Sequence, residues 1–90
     1  MNRRAYRVEG RVQGVGFRWF VRKAASELGL RGTVRNAPEG HVEVVAEGTG
    51  EALETLERAL REGPRTAEVT GVTVVPAPEE DLPDAFGIVR

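Results

Sequence analysis

At 90 residues the chain is sized for one domain with one core and little material for a second site. It contains no cysteine, so disulfides, thiolate nucleophiles and zinc–thiolate centres are all excluded. The net charge of −1 conceals a polarity: residues 1–35 hold nine Arg and Lys against two acids, residues 36–90 four against twelve. Such a basic portion steers anions, contacts nucleic acid, or pairs with the acidic remainder of its own chain. Side-chain amides are confined to Asn2, Gln13 and Asn36. Their scarcity suits a heat-stable protein, though a GC-rich genome biases codons the same way. The basic start, Met1 to Arg7, has no apolar stretch behind it, and no segment reaches membrane-spanning length. The expectation is a cytoplasmic protein without a membrane partner.

In chain order, Tyr6, Val8, Gly10 and Val12 alternate with Arg7, Glu9 and Arg11, the pattern of a half-buried strand. A helix follows, with Phe17, Phe20, Val21, Ala24, Ala25 and Leu28 on one face and Gly29 as its stop. Between them lies Val12-Gln13-Gly14-Val15-Gly16-Phe17-Arg18, where no side chain is suited to cap the helix. Arg18 and Arg22 then occupy a region where the helix dipole favours carboxylates. Unpartnered amides, the positive dipole end and an arginine make a candidate anion site, for phosphate above all. The alternative is a solvated helix start with Arg18 pointing outward.

Thr33 to Asn36 reads as a short strand, Asn36 to Gly40 as a turn, and Val42, Val44 and Ala46 as the returning strand of a hairpin. Asn36 shares parity with Val34, so its amide should face the helix side of the sheet and need partners there. A turn asparagine bonding its own backbone before Pro38 is the competing reading. The second helix, Gly50 to about Arg61, obeys the rules the first one breaks. Thr49 is its N-cap, Glu51, Glu54 and Glu57 lie towards its start, and Glu54–Arg58 and Glu57–Arg61 are spaced as i,i+4 pairs. Val69, Val72, Val74 and Val75 suggest a fourth strand with a bulge at Gly71. Pro76 to Pro83 is an acidic loop, and Phe86 and Ile88 leave room for a short fifth strand.

The order β-α-β-β-α-β predicts an α+β, ferredoxin-like split βαβ sandwich over residues 1–90, an antiparallel sheet with two helices on one face. That fold supports many functions. The glycine loop is neither a Walker A motif nor a dinucleotide fingerprint, since no Gly-Lys-Ser/Thr follows and Trp19 takes the place of the last glycine. Ser26 has no histidine or carboxylate at suggestive spacing, and His41, starting a strand after a turn, is expected to face solvent. Asp81 and Asp84 belong to the acidic loop, and no cluster offers metal-ligand spacing. Any chemistry must therefore use water directly.

The segments Val8 to Arg18, Ala25 to Leu30, Gly32 to Asn36 and Gly40 to Glu43 closely resemble the acylphosphatase family. The Gly-x-Val-Gln-Gly-Val-x-Phe-Arg pattern is specific to it, and the similarity runs from about residue 5 onward. The resemblance implies a metal-independent and cofactor-free hydrolase of carboxyl-phosphate anhydrides. By position, the backbone of Gln13, Gly14, Val15, Gly16 and Phe17 would cradle the phosphoryl oxygens, Arg18 would bind them, and Asn36 would orient the attacking water. Glu39, where the family often has Asp, and Thr33, often aromatic, depart from the pattern in turn and packing positions. The implied partner is a small acyl phosphate, with inorganic phosphate as product and competitive inhibitor. A monomer is expected. RNA binding on the sheet would need exposed aromatics, which the strand Gly40 to Glu47 lacks. A non-enzymatic phosphate binder would use the same loop but have no use for Asn36.

Overall fold

Seven elements account for most of the chain in the computed structural model, which describes residues 1–90. They are β1 (Asn2–Arg11), α1 (Phe17–Glu27), β2 (Arg31–Asn36), β3 (Val42–Gly48), α2 (Gly50–Glu62), β4 (Glu68–Val75) and β5 (Gly87–Val89). The expected alternation turns into one buried layer. Tyr6 and Val8 of β1, Val34 of β2, and Val42, Val44 and Ala46 of β3 are solvent-free and meet Val21 and Ala25 of α1 and Leu53, Leu56 and Leu60 of α2. Tyr6 is completed by its hydroxyl, which donates to the Leu53 carbonyl at 3.3 Å.

The sheet order is β4-β1-β3-β2-β5. Because β1 and β2 both run antiparallel to β3, they are parallel to each other with β3 between them. Each helix thus crosses over one intervening strand, the split βαβ arrangement. The consequence for function is direct. The loop after β1 and the last residue of β2 emerge at the same end of the sheet.

The sequence predicts an antiparallel sheet, but the observed sheet is mixed. β5 joins the edge of β2 in parallel, with Val34 opposite Ile88 and Arg35 opposite Val89. The acidic loop explains this. After β4 it crosses the far end of the sheet, where the Arg3 guanidinium donates to the carbonyls of Pro78 (2.8 Å) and Glu80 (2.6 Å). Arg31 then donates to the Leu82 carbonyl at 2.7 Å, and Glu47 bridges the two arginines. Buried Leu82 and Phe86 pin the loop, so the chain re-enters the sheet at the start of β2 and can only run alongside it.

Two further expectations shift. The irregularity in β4 is present, but its extra residue is Thr70, since Glu9 opposes Gly71 and Gly10 opposes Val69. What permits it is Gly10 on the facing strand, at φ 126°, where a Cβ would collide with the Glu68 carbonyl. In α2 the Glu57–Arg61 pair forms at 3.1 Å, whereas Arg58 donates to the Thr55 hydroxyl instead of pairing with Glu54. No helix is long and apolar enough to cross a membrane.

Candidate active site

The start of α1 is uncapped, as its sequence predicts. Gly16 is the N-cap residue, with no side-chain cap, and the first turn holds no acid. Gly14 (φ 73°) and Gly16 (φ 80°) are left-handed on either side of Val15, which is not. Alternating handedness turns consecutive N–H groups to one side and forms a concavity suited to an anion. A Cβ at either glycine would meet open space, so here glycine serves the backbone conformation and not close packing. The first bond into the helix runs from the Phe20 N–H to the Gly16 carbonyl at 3.1 Å. The N–H groups from Gly14 to Arg18 find no acceptor in the protein.

A cavity of about 610 Å³ opens over these donors, lined by Gly14, Gly16, Phe17 and Arg18 from the loop and by Asn36 from the end of β2. Gln13 and Val15 do not line it and act as supports. The Gln13 side-chain amide donates to the carbonyls of Ala37 (2.7 Å) and His41 (2.9 Å), fastening the loop to the β2–β3 turn. The Val15 carbonyl accepts from the Thr66 hydroxyl at 2.6 Å, a brace from the segment after α2. Thr66 carries no sequence signal, because only the tertiary fold brings it there.

Asn36 faces the helix side, in line with its parity. Its Oδ1 is buried and has no hydrogen-bond partner in the protein. The turn after it is held by backbone alone, Ala37 N–H to the His41 carbonyl (2.8 Å) and Gly40 N–H to the Ala37 carbonyl (3.0 Å). The side chain is therefore not used as a turn former; the residue lines the cavity, with its Oδ1 unpartnered and closed off from solvent. A buried acceptor without a partner is costly, on the order of 1–3 kcal/mol.

The charged side chains here have one sign. Arg18 is half-buried and takes part in no ion pair, and the second charged side chain at the cavity is Arg90, just past β5. Sequence reasoning missed Arg90, together with Ile88 and Trp19, which also line the cavity. The parallel pairing of β5 sets Ile88 opposite Val34 and carries Arg90 on to the level of Asn36, and an antiparallel strand would have carried them away. No acidic side chain lines this space.

His41 corrects an expectation. It is 6% exposed, not solvent-facing, with Nε2 3.0 Å from the Glu43 carboxylate and Nδ1 unpartnered. It lies on the face of the sheet away from the helices, where Arg7 and Glu43 line the same hollow. Burial alone would raise the Glu43 pKa, but the hydrogen bonds and charges of His41 and Arg35 together hold it below the usual carboxylate range.

The match to known proteins spans nearly the whole fold. The family model described as Acylphosphatase covers residues 4–88. The chain belongs to the acylphosphatase family. An acylphosphatase of Nitratidesulfovibrio vulgaris (strain DP4) is 56% identical over 90 residues, spanning 98% of this chain and 90% of the relative. Among solved structures, acylphosphatase from Bacillus subtilis superposes with a TM-score of 0.92 at 38% identity, with all of both chains covered. An acylphosphatase from Coxiella burnetii gives 0.84 at 40% identity, over 98% of this chain and 94% of that one. The cavity's open amides and arginines suit an anionic group such as phosphate.

Proposed function

We propose that the protein is an acylphosphatase, which hydrolyses the anhydride bond of an acyl phosphate to a carboxylate and inorganic phosphate. The observation that carries the reading is the meeting, in one cavity, of unpartnered backbone donors, an unpaired arginine and an orphaned Asn36 acceptor. The N–H groups of the loop and the Arg18 fork take the equatorial phosphoryl oxygens, where the transition-state charge lies. The Asn36 amide, at the cavity wall, holds a water with an oxygen lone pair turned towards phosphorus. The water oxygen bonds to phosphorus as the phosphorus–acyl oxygen bond breaks, and the carboxylate leaves with the electron pair. One proton of the water passes to a phosphoryl oxygen of the substrate, since no acidic or imidazole side chain lines the cavity. A carboxylate is a good leaving group and needs little acid assistance.

A passive phosphate binder would use the same cradle, but an orphaned acceptor beside it favours a reaction that consumes water. Residues 1–90 work as one domain around one core, as a monomer in the cytoplasm, with inorganic phosphate as product and competitive inhibitor. Turnover of benzoyl phosphate in the presence of EDTA is the expected result. Binding of phosphate without turnover, or loss of turnover restored by added magnesium, would overturn this mechanism. In Asn36→Ala, kcat should fall steeply while KM and phosphate inhibition hardly move, which separates water positioning from binding. Retained kcat with weakened affinity would make Asn36 a binding residue instead.

A further inference from the structure

Trp19 is out of character with its surroundings. It is a large apolar side chain left 67% exposed, although it lines the same cavity as Arg18 and Asn36. A lone exposed apolar residue needs no explanation by itself, but one bordering a functional cavity does. Following Arg18 in the first turn of α1, it lies about 100° further round the helix. The Arg22 guanidinium sits over its ring, 5.2 Å from the centroid, which covers one face and steadies the indole.

The other apolar side chains of the cavity are less available. Val12 and Phe17 are each 1% exposed and belong to the core, and Ile88 is half-buried. Apart from Arg18 and Asn36, the polar side chain at the cavity is that of Arg90. A substituent extending beyond a cradled phosphoryl group therefore meets a flat aromatic surface and an aliphatic one. No side-chain hydroxyl, side-chain carboxylate or second side-chain amide is present to read a polar acyl chain.

We infer that Trp19, backed by Ile88, is the acyl-recognition surface of this site and selects aromatic acyl phosphates over small aliphatic ones. The inference rests on the phosphate placement proposed above. A planar acyl group conjugated with its carbonyl gains a stacking partner and apolar contact that an acetyl group is too small to use. The contact lies away from the reacting bond, so it acts on substrate binding more than on the chemical step.

The test compares benzoyl, acetyl and 4-carboxybenzoyl phosphates as substrates of wild type, Trp19→Ala and Trp19→Phe. Trp19→Ala should lose ~10-fold in kcat/KM on benzoyl phosphate, the scale of an aromatic stacking contact, mainly through KM. On acetyl phosphate it should change by less than about 2-fold, and phosphate inhibition should stay as in wild type. Trp19→Phe should keep most of the preference. Trp19 is the sole tryptophan, so its fluorescence reports on this position directly. Phenacylphosphonate, a benzoyl phosphate mimic with methylene for the bridging oxygen, should change that fluorescence saturably, and inorganic phosphate should reverse the change. Equal losses on benzoyl and acetyl phosphate in Trp19→Ala would overturn the inference, because Trp19 would then be shaping the cradle. No loss on either would overturn it as well. A preference for 4-carboxybenzoyl phosphate that survives Trp19→Ala would assign the acyl end to Arg90 instead. Should wild type turn over none of the three while phenacylphosphonate still perturbs Trp19 in competition with phosphate, the hydrolase reading fails and the recognition surface stands.

Discussion

The two helices of this protein begin in opposite ways. At α2, Thr49 accepts from the Ala52 N–H at 3.1 Å, Glu51 lies in the first turn, and Arg61 lies in the last. At α1 the cap residue is a left-handed glycine, acids are absent from the first turn, and Arg18 stands where a carboxylate belongs. Both helices bury three residues in the same core and come from the same sequence. The difference is therefore local and not a sign of a poorly specified chain. A helix end optimised for stability satisfies its own donors, and one reserved for a ligand leaves them open.

The largest effect should come from removing the charge that the α1 start tolerates. Arg18→Gln is expected to lose at least ~10²-fold in kcat/KM, the scale for one preorganised donor in a transition state. Arg18→Lys should also fail badly, because an ammonium cannot reproduce a bidentate fork. Near-normal turnover by the lysine variant would reduce Arg18 to a point charge and blunt the contrast between the helices.

Next comes a ligand acting as the missing cap. Inorganic phosphate should raise the unfolding midpoint, by roughly 2.7 kcal/mol of stability at about 100 times its dissociation constant. The gain should largely vanish in Arg18→Gln and persist in Asn36→Ala, while chloride at matched ionic strength does little. Equal stabilisation of wild type and Arg18→Gln would show general salt exclusion, and the α1 start would then be an ordinary solvated one.

Removing the cap that α2 does have gives the reciprocal outcome. Thr49→Ala should cost about 1 kcal/mol of stability by denaturant titration and leave kcat/KM unchanged. A change in activity without loss of stability would mean that the two helix ends are not specialised as described.

The smallest expected effect concerns Glu43, on the other face of the sheet. Its carboxyl is held below the usual range by His41 and Arg35 against the opposing effect of burial. A carboxyl depressed in the folded state stabilises the protein above its unfolded pKa, and that contribution is lost as pH falls through the folded value. Glu43→Gln should thus be less stable than wild type at neutral pH, and the gap should close on acidification through the carboxylate range. A gap independent of pH would assign the loss to packing.

Much of the site was legible because its signals are local. Two glycines, a missing cap and an arginine at N2 are features of a few consecutive residues, and a helix terminus has fixed needs whatever surrounds it. The facing of Asn36 followed from strand parity, which is equally local. His41 shows where that logic stops, since parity tells which face of the sheet a side chain takes but not what else lies on it. The bare i,i+4 rule failed at Glu54 and Arg58 for a related reason, because the Thr55 hydroxyl offered Arg58 another acceptor.

What the sequence by itself determined, then, is the element order, the buried face of each element, and the uncapped stretch from Gly14 to Arg18 with its open amides. Short-range sterics and hydrogen-bond demand decide these, and they act between near neighbours in the chain. The tertiary structure alone decided what meets that loop. The acidic segment is drawn across the far end of the sheet by Arg3 and Arg31, so β5 enters parallel to β2 and delivers Ile88 and Arg90 beside Asn36. Thr66 braces Val15 of the loop from 51 residues away in sequence, and Gln13 of the loop reaches Ala37, 24 residues on. Contacts at such separations depend on the direction of a strand and the path of a loop, and no pattern of neighbouring residues encodes either.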